Sequence, residues 1–164
     1  MDDSKLYIEE IKETKDIPFD LLELADPSRP QINKYVKTGK CYIGKVNAKI
    51  KGVFVLHEIS STNIEVKNIA VRESEQGKGL GKALLRHAQI ISLELGYKTM
   101  TIGTGNSSIG QLALYQKMGF EIARIDKNFF LRNYREPIFE HGIQCKHMIV
   151  LEKRLDDEKP ITLT

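Results

Sequence analysis

The stretch QGKGLG at residues 76–81, running straight into KALLRHAQIISLEL, constrains this chain more than any other segment. Gly77, Gly79 and Gly81 remove the Cβ atom from alternate positions just where a helix begins. A bare backbone there lets N–H groups close on an oxyanion, and the helix dipole adds partial positive charge at the same point. Lys78, Lys82 and Arg86 recur at i, i+4 and i+8, a basic stripe starting at the mouth of this nest. Such a junction suits an elongated ligand that carries a pyrophosphate.

Three β-rich runs precede the loop, CYIGKV, IKGVFVLHEI and IEVKNIAV, separated by NAK and SSTN, which read as hairpin turns of an antiparallel meander. Upstream, KLYIEEI alternates as a first strand and IPFDLLELA carries helical spacing. DPSRPQINKYVKTGK then gives a turn, a proline suited to a first helical turn, a stripe of Ile32, Tyr35 and Val36, and a stopping Gly39. After the loop, Leu80, Leu84, Ala88, Ile91 and Leu95 make a long helix face closed by Gly96. KTMTIG reads as a strand, GQLALYQKM as a helix stopped by Gly119, FEIARID as a strand and KHMIVLE as the last one. Residues 127–142 form a polar and aromatic excursion before that last strand, and residues 155–164 are expected to fray. The order is an α/β chain whose helices cover a mixed, incompletely parallel sheet of seven strands.

At 164 residues and 41% hydrophobic, residues 1–164 read as one domain with ample material for a core. A net charge of +3 leaves no global field for nucleic acid. The amino-terminal MDDSKLYIEE holds no apolar signal core, and runs such as VFVL are far too short to span a membrane. Cys41 and Cys145 are not a disulfide framework. Together these point to a soluble cytoplasmic protein with no nucleic-acid or membrane partner.

Two familiar phosphate devices are excluded by position. A nucleotide P-loop needs Gly five residues before Gly81 and a hydroxyl after Lys82, whereas the chain has Gln76 and Ala83. A dinucleotide fingerprint needs glycine at 82 or 84, which hold Lys82 and Leu84. What remains, NIAVRESEQGKGLGKALL, resembles the central motif of the GNAT superfamily, acyl-coenzyme A-dependent N-acetyltransferases of the bacterial single-domain type. That motif is Gln or Arg, two residues, Gly, one residue, then Gly or Ala; Gln76, Gly79 and Gly81 match it. ALYQKMGF is similar to the family's later helix, L-Y-x-x-x-G-F, and the element order agrees from about residue 5 to 152.

The resemblance implies a mostly antiparallel seven-stranded sheet with helices on both faces, and acetyl-CoA as co-substrate with no metal. It implies that the backbone of Gly77, Lys78, Gly79, Leu80, Gly81 and Lys82, introduced by Gln76, holds the pyrophosphate. The main chain of Ile69, Ala70 and Val71 would pair with the pantetheine arm, and a bulge in that strand would splay it from its neighbour. Where the family often carries Pro this chain has Glu73. The family's common Asn is Ser108 here, with Asn106 two residues earlier as a substitute for that polar contact.

Acetyl transfer to an amine requires that a proton leave the ammonium, that an oxyanion be stabilised and that the departing thiolate gain a proton. Tyr115 stands where the family keeps its thiol-proximal tyrosine; the competing reading is a helix tyrosine packed beside Leu112. Glu65, eleven residues before Gln76, stands where several members keep a base, often acting through water. A strand glutamate paired with Lys67 is the alternative. A backbone N–H near Val71 is the candidate oxyanion donor. Cys41 has no adjacent histidine and reads as a packed strand residue. His141, Cys145 and His147 lack a second pair to complete a zinc set. With no appended peptide-reading or nucleic-acid module in the sequence, a small primary amine is the expected acceptor, against a protein lysine or amino-terminus, or a non-catalytic acyl-CoA-binding module. The excursion, with Phe129, Phe130, Tyr134 and Phe139, is expected to shape the acceptor mouth or a homodimer contact.

Overall fold

A computed structural model describes residues 5–156. Its elements are β1 (Tyr7–Ile11), α1 (Phe19–Ala25), α2 (Arg29–Thr38), β2 (Lys40–Val46), β3 (Lys49–Glu58), β4 (Asn63–Val71) and α3 (Leu80–Glu94). There follow β5 (Thr99–Gly105), α4 (Ile109–Lys117), β6 (Glu121–Asp126), α5 (Phe129–Asn133), β7 (Ile138–Glu140), β8 (Ile143–Cys145) and β9 (Met148–Arg154). Seven strands form one sheet in the order β1-β2-β3-β4-β5-β9-β6, and β7 and β8 pair separately. Only β4 and β5 run parallel; every other pairing is antiparallel.

Each face of the sheet buries its own apolar cluster. On one side Phe54, Leu56, Ile64 and Val66 meet Leu84, Leu85 and Ala88 of α3 and Tyr115 of α4. On the other, Val53, Val55 and Ala70 meet Leu21 and Leu22 of α1 and Ile32 and Tyr35 of α2. Alternation along β3 sends odd and even positions to opposite layers, as the two-residue strand period requires.

Several expectations are refined. In α3 the buried row is Leu84, Leu85, Ala88, Gln89 and Ser92, whereas Leu95 sits at the helix end and is exposed. The buried Gln89 accepts a hydrogen bond from the Lys153 ammonium at 3.1 Å. Gly39 ends α2 with φ −95°, so left-handed geometry is not its role. A Cβ there would lie 2.7 Å from the Leu56 carbonyl oxygen and 2.8 Å from that of Tyr35, so the position is closed to any side chain.

The excursion at 127–142 is structured. Asn128, at φ 61°, starts the short α5, and His141 and Gly142, at φ 53° and 74°, turn β7 into β8. Two successive left-handed residues are the requirement of a tight hairpin turn, so the His-Gly pair was the available signal. Leu155, expected to fray, is 2% exposed and its N–H donates to the Lys98 carbonyl at 2.8 Å. Residues 157–164, the remainder of that expected tail, lie outside the described residues.

Candidate active site

The site is created by a failure of pairing. β4 and β5 are hydrogen-bonded only from Asn63–Val66 to Thr99–Ile102. The register of β4 on β3 slips between Val66 and Asn68, which makes Lys67 the extra residue of a bulge. Beyond it β4 follows β3 to Val71 while Gly103–Gly105 of β5 stay with β9. The sheet therefore splits, leaving the β4 main chain from Ile69 to Val71 with one edge open. An open strand edge inside a fold is a template for an extended arm bearing amide groups. The bulge also reverses the faces. Glu65 and Asn68 share one side, opposite His57 and Val55 respectively, while Val66 and Ile69 share the other.

A chamber of about 470 Å³ opens from this split toward the glycine loop. Ile69, Ala70, Val71, Gln76, Gly77, Gly79, Leu80, Gly81, Lys82 and Tyr115 all line it, so most of the expected cofactor residues come together. Gln76 ties the loop to the strand end, its amide donating to the Val71 carbonyl at 3.0 Å. Gly77 and Gly79 have φ 78° and 84°, where a side chain is strained, and open space where their Cβ atoms would stand. The first N–H groups of α3 have no partner within the helix by its geometry. They point into a cradle that glycine alone keeps both left-handed and empty. This donor-lined pocket with Lys82 at its rim fits a pyrophosphate, and the free β4 edge fits a pantetheine arm.

Three expected contacts stand elsewhere. Lys78 faces away from this chamber, its ammonium bound to Glu75 at 3.1 Å; Lys51 reaches the same carboxylate at 3.2 Å. The hydrogen bond from Lys78, then that from Lys51, holds Glu75 below the usual carboxylate range. Asn106 does not line this chamber. Its Oδ1 accepts from the N–H groups of Lys146 and His147, and its amide donates to the Gln144 carbonyl, stapling β5 to the β8–β9 corner. Ser108 lies on the acceptor side and donates to Glu140 Oε1 at 2.7 Å.

A second chamber, about 390 Å³, lies across the split. Its walls come from the end of α1, from β4 and β5, and from α5, β7 and β8. Leu24, Ala25, Ile69, Gln111 and Tyr115 line both chambers, so the two meet around Tyr115. Tyr115 is 5% exposed and tilted on Phe120, with ring centroids 6.2 Å apart. α4 places it there, and the following turn returns the Phe120 N–H to the Tyr115 carbonyl at 3.0 Å. Burial pushes its phenol up to about 12, so it holds its proton throughout the neutral range.

Glu65 lines neither chamber; its carboxylate lies 3.6 Å from the Lys67 ammonium. Cys41 is buried, and burial pushes its thiol up to about 12, which leaves it inert as a nucleophile near neutrality. His147 Nδ1 accepts from the Asn128 N–H at 2.9 Å, and no group of three metal-ligating side chains gathers among the described residues. Sequence reasoning missed Asp26 and Asn68, whereas Glu140 belongs to the excursion expected at the acceptor mouth and does line this chamber. A polar Asn inside the apolar run IEVKNIAV was the one available hint.

A mixed sheet split beside a glycine nest, with a buried tyrosine between two chambers, defines a coenzyme A-dependent acyltransferase. The chain matches the Acetyltransferase (GNAT) family over residues 7–120 and belongs to it. It is 50% identical over 151 residues to the N-acetyltransferase YvbK of Bacillus subtilis, covering 92% of this chain and 97% of that one. A GNAT family acetyltransferase from Elizabethkingia anophelis, solved with acetyl-CoA bound, superposes with a TM-score of 0.89 at 46% identity, covering 91% of this chain and 97% of that one. A Bacillus subtilis acetyltransferase in complex with CoA gives 0.86 at 49% identity, covering 92% and 99%. The protein is an acetyl-CoA-dependent N-acetyltransferase that acts on an amine. No helix among the described residues is long and apolar enough to cross a membrane.

Proposed function

We propose that the enzyme acetylates a primary amine of a small molecule by direct transfer in a ternary complex. The observation that carries this reading is the meeting of two chambers at Tyr115, which lets donor and acceptor be held together on opposite sides of the split. Acetyl-CoA supplies an acyl group already activated as a thioester. The backbone at Gly77, Gly79, Leu80 and Gly81, with Lys82, binds phosphate oxygens, and the open edge of Ile69–Val71 orients the arm. A β4 N–H near Val71 stabilises negative charge on the acyl oxygen. Tyr115 keeps a proton on its hydroxyl for the departing sulfur. An acceptor chamber closed by α1, α5 and β7 suits a small amine better than a protein surface.

Glu65 takes the amine proton through water in this reading, since it shares a sheet face with the chamber-lining Asn68 but does not itself reach the cleft. Glu65→Gln is then expected to lower kcat by about tenfold or more near neutral pH, at the weak end of general-base effects because a water intervenes. An unchanged pH–rate profile would remove Glu65 from the mechanism. The ternary reading is tested by initial rates at varied acetyl-CoA and amine, followed by free-thiol release. Intersecting double-reciprocal lines are expected; parallel lines would mean an acyl-enzyme and contradict direct transfer.

A further inference from the structure

The acceptor chamber holds more negative and acceptor capacity than one reacting amine can use. Asp26, 8% exposed, accepts hydrogen bonds from the Tyr35 hydroxyl at 3.0 Å, the Tyr134 hydroxyl at 2.9 Å and the Ser28 N–H at 3.0 Å. All three donors are neutral. Glu140 accepts from the Ser107 and Ser108 hydroxyls at 3.0 and 2.7 Å, both on Oε1. Neither carboxylate has an ion-pair partner among the described residues, whereas the other charged groups in the wall are satisfied. Glu23 pairs with Arg29, and Lys67 with Glu65.

Asn68 supplies the independent observation. It is 4% exposed, lines the chamber, and its Oδ1 has no hydrogen-bond partner among the described residues. Its orientation is fixed by its neighbours. Its amide nitrogen donates to the Leu22 carbonyl at 3.0 Å and to the Tyr35 oxygen at 2.9 Å, and Tyr35 must accept because its own proton goes to Asp26. A buried carbonyl oxygen left without a donor is costly, and in a native site it calls for a partner that the protein does not supply, a water, an ion or a ligand.

Among the described residues, the chamber wall thus holds two carboxylates without a cationic partner, Asp26 and Glu140, and the Asn68 Oδ1 without a donor, beside the rings of Phe130 and Tyr134, while its one cation, Lys67, is paired with Glu65. The complement is a group with donors only, an ammonium, which the aromatic faces also favour. The reacting nitrogen cannot be that group, because it must lose its proton to attack. We propose that the acceptor is a short aliphatic diamine whose second, non-reacting ammonium is held by Asp26, Glu140 and Asn68. This rests on the small-amine reading above. An amine bearing a carboxylate would set a third negative charge beside the other two.

Diaminopentane, pentylamine and aminopentanoate test it at equal chain length. Thiol release at saturating acetyl-CoA is expected to give kcat/KM for the diamine about tenfold or more above pentylamine, the worth of one charge-assisted hydrogen bond, with aminopentanoate lowest. Asp26→Asn and, independently, Glu140→Gln on the separate hairpin should each cut the diamine-to-monoamine ratio several-fold. Calorimetric titration of the CoA-loaded protein with diaminopentane separates the two readings. Binding that depends on Asp26 and Glu140, without turnover, upholds the cation subsite and contradicts acetylation of this amine. Pentylamine turned over as well as the diamine, or a ratio unmoved in both variants, overturns the subsite and leaves the transferase reading standing. No binding and no turnover of the diamine overturns it as well.

Discussion

Gly79→Glu is expected to abolish acetyl-CoA binding while leaving the protein folded. Gly79 caps α3 at φ 84°, and the space where a Cβ would stand is empty within 4 Å. A Cβ there meets nothing within 4 Å, so the cost to the fold is the left-handed backbone, on the order of 1–2 kcal/mol. A carboxylate at a helix N-terminus recovers part of that through the dipole. The same carboxylate fills the cradle and answers the unpaired N–H groups of α3, so it competes directly with phosphate and repels it. Affinity should fall by more than about a hundredfold, roughly 3 kcal/mol, in a calorimetric titration. Gly79→Ala separates strain from charge and should lose much less. Near-wild-type affinity in the Glu variant would mean that the pyrophosphate is held elsewhere.

Tyr115→Phe is expected to lower kcat by about a hundredfold, within the range of general-acid effects, with KM for acetyl-CoA changed by less than about twofold. The substitution keeps the ring against Phe120 and removes only the hydroxyl. Because burial raises this phenol to about 12, the protonated form that donates is present at every lower pH and is lost only above that value. An alkaline limb near neutral pH therefore belongs to another group and should persist in the variant. A variant as fast as the wild type would leave Tyr115 as a packing residue and move the thiol's proton source to solvent.

The parts of this fold legible in the sequence are those with a local physical signature. The meander was visible from period-two runs broken by Asn47–Ala48 and Ser60–Asn63, and the nest from glycines set against a helix start. The bulge followed from the resemblance and not from the residues, since nothing in IEVKNIAV marks Lys67 as the extra one. α5 and the β7–β8 hairpin were missed because elements of five and three residues are too short to establish a period.

The site divides in the same way. The part expected of Ile69–Val71 came from the resemblance alone, whereas the glycine nest at Gly77–Gly81 depends on backbone shape and could be read locally. Lys78 and Asn106 could not, because each is claimed by a partner that only tertiary structure supplies, Glu75 for one and the β8–β9 corner for the other. Asp26 and Asn68 lie far apart in sequence and are joined through the Tyr35 hydroxyl, a relation no spacing rule contains.

The central claim is that the cofactor threads the split in the sheet, from the glycine nest along the open edge of β4 to Tyr115. Amide hydrogen exchange with and without acetyl-CoA tests it most directly, since the N–H groups concerned are those the account leaves unpaired. Protection is expected at Ile69–Val71 and across Gly77–Lys82, with the β7–β8 hairpin unchanged. Protection confined to other segments, with Ile69–Val71 exchanging at the same rate in both states, would contradict the account.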